Sequence, residues 1–430
     1  MTISPERREQ GEIPALPGKK DVYPMDYQII GGSVTAPSGF TASGVHCGIR
    51  KNRQKKDLAL IAADTLCDAA AIYTQNRVKG APLLVTKEHL QNGRAQAIIC
   101  NSGNANTCNA DGLEIANAMC AAAARALGIA QEDVLVGSTG VIGQPLPLSP
   151  IVNAIPSLAA ALSKAGAADA TEAIMTTDTR KKEIAVSFTL AGKECRIGGI
   201  AKGSGMINPN MATMLSFLTT DVSIASELLQ TALKTCADAT FNMVSVDGDT
   251  STNDTLAILA SGKAGNARIT APGAEYDAFC GALLAVMTHL AREVARDGEG
   301  ATKLVECAVS GAADEQTARI VAKAVISSTL FKAAMFGSDA NWGRVLCAIG
   351  YAPAQVDVAR VDVAFESAGG EILVCKNGAG LAFSEEQARN VLVRDEVRVK
   401  VELHAGSCSA TAWGCDLTYD YVKINGDYRT

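Results

Sequence analysis

A single threonine stands where a polar loop turns abruptly apolar, in the stretch KGSGMINPNMATMLSF from Lys202 to Phe217. A hydroxyl is a weak nucleophile unless a base lies beside it. One solution is the threonine's own α-amine, available only when that threonine begins a chain. The reference pKa of such an amine is about 7.7–8.0, so a useful fraction is neutral near pH 7. For Thr213 the peptide bond to Ala212 must first be cut. Its Oγ attacks the Ala212 carbonyl, the chain shifts from N to O, and water hydrolyses the ester. Asn208-Pro209-Asn210 supplies a constrained turn, and Ala212 is small. β-Branching holds the Thr213 Oγ in few orientations. The same residues also fit a plain Gly/Asn loop leading into a core strand.

Other chemistries fit less well. Only four histidines exist, His46, His89, His289 and His404, and no G-x-S-x-G turn is present, so a Ser-His-Asp triad has little to work with. GGIAKGSG has its lysine in the wrong order for a phosphate loop. DGDTSTNDT (247–255) begins like a calcium loop, but Thr252 stands where glycine is needed and Ile258 where glutamate is needed. It reads instead as a turn capping a following helix. His289 falls off the apolar face of its segment and reads as solvated. The thirteen cysteines form no CxxC pair and no zinc spacing, so no metal is expected. Most lie in apolar runs, such as Cys100 and Cys347, and read as reduced, buried thiols of a cytosolic protein.

The elements that must position such a site are short apolar runs alternating with Ala-rich helical stretches. Strands are expected at 57–64, 95–103, 134–140 and 302–311, and a helix at 113–129. The clearest helix is 276–298, where Phe279, Leu283, Met287, Leu290 and Val294 share one face and Gly298 stops it. Alternation from 395 onward suggests a strand pair. The mixture implies an α/β or α+β fold with helices outside sheets. The chain has 430 residues, 48% of them apolar and only 4% aromatic, so its core is large and built from small aliphatic side chains. A net charge of −6 without charge blocks argues against nucleic acid and anionic membrane. No uninterrupted apolar run reaches membrane-spanning length, and residues 1–27 form a polar extension without a secretory h-region. A change of character near 305 divides a catalytic core, 28–305, from a smaller C-terminal α/β domain, 306–430.

Several blocks together resemble one family. They are NRVKGAPLLVTKEHL (76–90), NSGNANTCNADG (101–112), GSTGVIGQPLP (137–147), AIMTTDT (173–179), GGIAKGSGMINPNMATML (198–215), FNMVSVDGDTSTNDT (241–255) and DGEGATK (297–303). FGSDANWGR (336–344), AWGCDLTYDYVKING (412–426) and the terminal DYRT complete the series. This pattern is similar to that of the ornithine acetyltransferases, or glutamate N-acetyltransferases, of cyclic arginine biosynthesis. Ala340 stands where that family more often has proline.

The resemblance implies sheets sandwiched between helices, as in DmpA-type aminopeptidases. It implies autocleavage into residues 1–212 and 213–430, and acetyl transfer from N2-acetyl-L-ornithine to L-glutamate through an acetyl-threonine. In this reading Thr213 is the nucleophile, Thr139 and Gly140 form the oxyanion hole, and Thr177, Lys202, Glu299, Asn425 and Thr430 hold substrate. No cofactor is implied, although acetyl-CoA can serve as a second donor. The cleaved αβ unit is expected to pair into an (αβ)2 heterotetramer in the cytoplasm. An autoprocessed amidohydrolase or aminopeptidase, and an uncleaved binding protein on the same scaffold, are the other readings. Of the four histidines only His89 falls in a matched block, and the resemblance gives it no site role, so activity is expected to fall on the acid side as the Thr213 amine protonates. Replacing the four histidines one at a time should leave the midpoint of that pH profile in place. A midpoint that vanishes with one of them would reassign the base.

Overall fold

A computed structural model describes residues 26–208 and 214–427. Among the described residues the larger of two sheets has nine strands. Across it run Tyr27–Ile30, Lys182–Leu190, Lys193–Lys202, Leu215–Thr220, Thr255–Ala260, Leu58–Tyr73, Arg94–Asn104 and Val134–Val141. Phe40–Val45 pairs with the first half of Leu58–Tyr73. Thr255–Ala260 runs parallel to Leu215–Thr220, and Val134–Val141 parallel to Arg94–Asn104. The strand expected at 57–64 continues to Tyr73 through a register shift between Ala62 and Cys67, where Asp64 and Leu66 reach solvent.

Helices cover both faces of this sheet, which is why its strands read as nearly continuous apolar runs. Gly112–Leu127 and Leu148–Ala160 share one core with Leu60, Ile99 and Val136. Ala167–Ile174 shares another with Phe40, Ile61 and Phe217. The second sheet runs Ala379–Gly380, Gly370–Lys376, Asp362–Ser367, Glu396–Glu402, Leu304–Ala312, Cys408–Cys415, Val244–Ser245.

The helix Ala274–Arg296 lies between the sheets. It packs on Lys182–Leu190 and Lys193–Lys202 on one side and on Cys408–Cys415 on the other. Phe279, Leu283, Met287, Leu290 and Val294 are all buried, each worth about 1.5–3 kcal/mol relative to exposure. Glu275 and Asp277 in the first turn and Arg296 in the last complement the helix dipole. By length and composition this helix could cross a membrane, but most of its apolar stretch is buried inside the fold.

Four local expectations are corrected. Glu396–Glu402 and Cys408–Cys415 are strands but not partners: Leu304–Ala312 lies between them, parallel to the first and antiparallel to the second. Alternation fixes which face a strand buries, not which strand lies beside it. The turn 247–255 leads into the strand Thr255–Ala260, not a helix. His289 is half-buried on a helix that packs against both sheets, and burial pushes its imidazolium downward in pKa. Cys347 is exposed on its helix, whereas Cys100 is buried and burial pushes its thiol up to about 12.

Leu283 is fully buried between the sheets. Leu283→Ala should therefore lower the unfolding free energy by about 2–5 kcal/mol, read by chemical denaturation.

Candidate active site

Segments distant in sequence converge on a cavity of ≈ 140 Å³. Thr139 and Gly140 come from the end of Val134–Val141, and Thr177 from the turn after Ala167–Ile174. Lys202 ends Lys193–Lys202, Glu299 follows the long central helix, and Asn425 lies on the C-terminal helix Tyr419–Asp427. The structure thus brings these expected site residues to one place. Ala212, Thr213 and Thr430 lie outside the described residues. The chain that follows the Ala212–Thr213 junction enters the sheet with Leu215 paired to Lys202 on one side and to Thr255 on the other.

One wall of the cavity is an irregular parallel pair. Ser102 and Gly103 stand opposite Thr139 and Gly140, and the register shifts at Asn104. Gly140 has φ +129°, and a Cβ there would lie 2.4 Å from the Gly103 carbonyl carbon. Only glycine holds this conformation without strain. The Thr139 hydroxyl makes no hydrogen bond among the described residues, so it is free to donate into the cavity.

Behind this wall sits Asn253, which is buried. Its Nδ2 donates to Ala105 O at 2.6 Å and to Ser138 O at 3.0 Å. Its Oδ1 accepts from the Thr107 and Thr252 hydroxyls, each at 2.6 Å. The amide therefore ties the residue before Thr139 to the 105–107 loop. Ser251 and Thr252 also line the cavity. The polar turn read from sequence as a helix cap is a supporting shelf. Its density of Asp, Thr and Asn was the available signal. Next along, Asp254 is buried beside the Met214 N–H and the Ser251 hydroxyl, and burial pushes its carboxyl well upward in pKa.

The cavity carries one charge of each sign. Lys202 is only 7% exposed, and its ammonium makes no hydrogen bond or ion pair among the described residues. Burial pushes it downward in pKa, opposed by the negative charges of Asp178, Asp254 and Glu299. Glu299 accepts from the Thr177 hydroxyl at 2.7 Å on one oxygen and from Asn425 Nδ2 at 2.8 Å on the other. The Glu299 N–H donates to Ser204 O at 2.8 Å, and the Ser204 and Thr177 hydroxyls lie 2.7 Å apart. Gly205 leaves the room this requires: a methyl there would sit 2.4 Å from the Glu299 carboxylate. Such a cavity suits a small molecule with a carboxylate at one end and a cation at the other. No cluster of three or more His, Cys, Asp or Glu placed for a metal ion occurs among the described residues.

The ArgJ family model matches residues 41–430. The chain belongs to the ArgJ family. It is 53% identical over 403 residues to the arginine biosynthesis bifunctional protein ArgJ of Symbiobacterium thermophilum, covering 93% of this chain and 99% of that protein. It is 51% identical over 404 residues to the protein of the same name from Caldanaerobacter subterraneus, covering 94% of this chain and 100% of that one. A solved ornithine acetyltransferase from Mycobacterium tuberculosis, complexed with ornithine, is 34% identical with a TM-score of 0.40. That match covers 43% of this chain and 98% of the other.

Asn253→Asp keeps the size of this ArgJ side chain but turns the carboxamide that braces the Thr139–Gly140 wall into a group facing two carbonyls. Turnover of the variant should fall about 10–100-fold with a smaller change in KM. Wild-type turnover would remove Asn253 from the support of the wall.

Proposed function

We propose that this chain is an acyltransferase of arginine biosynthesis that cuts itself between Ala212 and Thr213. It then moves the acetyl group of N2-acetyl-L-ornithine to L-glutamate through an acetyl-Thr213 ester. The observation that carries the reading is the shared cavity of Thr139, Gly140, Lys202 and Glu299, in an ArgJ-family chain.

Each group has a role in the balance of atoms. In the first half-reaction the Thr213 α-amine takes the Oγ proton as Oγ bonds to the acetyl carbonyl carbon. The oxyanion that forms is met by the Thr139 hydroxyl and the Gly140 N–H, acting on charge that exists only near the transition state. The tetrahedral intermediate collapses, the C–N bond breaks, and ornithine leaves with the proton. Glutamate's neutral α-amine then attacks the ester and Thr213 regains its hydroxyl proton. Lys202 pairs with the substrate α-carboxylate, which supplies the partner its ammonium lacks. Glu299, held by Thr177 and Asn425, pairs with the ornithine side-chain ammonium.

The curated relatives carry the word bifunctional in their names, which supports acetyl-CoA as a second acetyl donor. The reaction needs no other cofactor. We take residues 28–305 as the catalytic core, 306–430 as the C-terminal domain, and the cut protein as an (αβ)2 assembly of the cytoplasm.

Glutamate acetylation, assayed side by side from acetylornithine and from acetyl-CoA, tests the activity. Thr213→Ala should run as one band near 44.5 kDa on a denaturing gel and be inactive, whereas the native chain gives two bands of near-equal size. An Ala variant cut like the native chain would refute intramolecular attack by Thr213.

A further inference from the structure

Under the cavity lies a buried ion cluster to which the mechanism assigns no part. Lys182 is 1% exposed, and Asp178 and Asp297 are 4% exposed each. The Lys182 Nζ lies 2.7 Å from Asp178 Oδ1 and 2.6 Å from Asp297 Oδ2. It also reaches Arg180 O at 3.4 Å. Both carboxylates bind main-chain N–H groups of segments that form the cavity. Asp178 accepts from Thr176 N at 2.8 Å and from Gly203 N at 2.7 Å. Asp297 accepts from Thr179 N at 3.0 Å and from the Thr179 hydroxyl.

These bonds tie together the three segments that carry the polar end of the pocket. Thr177 lies between Thr176 and Asp178, Lys202 precedes Gly203, and Glu299 lies two residues past Asp297. Two carboxylates face Lys182, and Arg180 Nε lies 4.0 Å from Asp297 Oδ1 as a second, more exposed cation. Lys202 adds its positive charge to the field at Asp178. Burial pushes the Asp178 carboxyl upward in pKa, but the Lys182 and Lys202 ammoniums together hold it below the usual carboxylate range. A buried charge set of this kind tolerates little displacement, because losing one partner strands another.

We propose that the Asp178–Lys182–Asp297 cluster is a positioning device that fixes the reach between the Lys202 ammonium and the Glu299 carboxylate. It thereby selects the length of N-acetylated diamino acid that the pocket accepts. The proposal rests on the reading of the pocket given above. The cluster touches no substrate; it acts through Gly203 on Lys202 and through the chain 297–299 on Glu299.

The test is Asp297→Asn in the full-length, correctly cut protein, with thermal melting to establish folding. KM and kcat are measured for N2-acetylornithine and for N2-acetyllysine, which is one methylene longer. The expected result is a rise of about tenfold in KM for acetylornithine, kcat within about threefold, and a smaller preference for acetylornithine over acetyllysine. A merely structural role lowers the melting temperature and leaves KM and the preference of the folded enzyme unchanged, which would overturn the proposal. A fall in kcat alone would overturn it too. If Asp297→Asn does not fold, Thr179→Val removes only the hydroxyl bound to Asp297 and should shift KM and preference in the same direction by less; no shift there counts against the cluster. Wild-type protein inactive on acetylornithine sinks the pocket reading and this proposal with it. An active wild type with an unaffected variant sinks the proposal alone.

Discussion

A lysine ammonium taken out of water without a partner is costly, and a protein keeps one only where something else completes it. Lys202 is such a group, and the site is arranged around it. Its strand runs beside the strand that begins at Leu215, with Lys202 paired to Leu215 itself. The negative charges of Asp178, Asp254 and Glu299 favour its charged form without contacting it. In the function proposed above, a substrate carboxylate supplies the missing contact, and binding energy is gained where the empty protein bears a cost.

The small side chains of the core make this convergence possible. Gly140 sits where a methyl would strike the neighbouring strand, and Gly205 where one would strike Glu299. The central helix Ala274–Arg296 then carries the order of the interior outward: anchored between the sheets, it ends at Asp297 and delivers Glu299 two residues later. The C-terminal helix Tyr419–Asp427 has no buried residues, yet Asn425 reaches Glu299. The Glu299 carboxylate thus helps tie that helix to the core, together with the Tyr421 hydroxyl, which donates to Asp247 Oδ2 at 3.2 Å.

Much of the scaffold was legible in the sequence because its signals are local. The apolar stripe from Phe279 to Val294 and the β-rich runs at 95–103 and 134–140 depend on spacing within one segment. Partnership does not. Nothing in the residues from 396 to 415 says that Leu304–Ala312 will separate two strands that alternate so similarly. His289 and Cys347 were misread for the same reason, since exposure depends on what a distant element covers. The site was legible in another way. Thr177, Glu299 and Asn425 carry no individual signal, and only resemblance over many blocks picked them out. The chemistry of the Thr213 loop was readable from its residue types, but Asn253 and Lys182 were not. Their roles lie in hydrogen bonds to segments remote in sequence, which no spacing rule encodes.

The central claim is that the cavity delivers an acetyl group to Thr213. The most direct measurement is intact-mass analysis of the cut enzyme mixed with acetylornithine in the absence of glutamate, followed by peptide mapping. The account predicts that the fragment beginning at Thr213 becomes heavier by one acetyl group, carried on the Thr213 side chain, and that adding glutamate removes it. An unmodified fragment under conditions where glutamate is acetylated, or an acetyl group carried elsewhere, would contradict it.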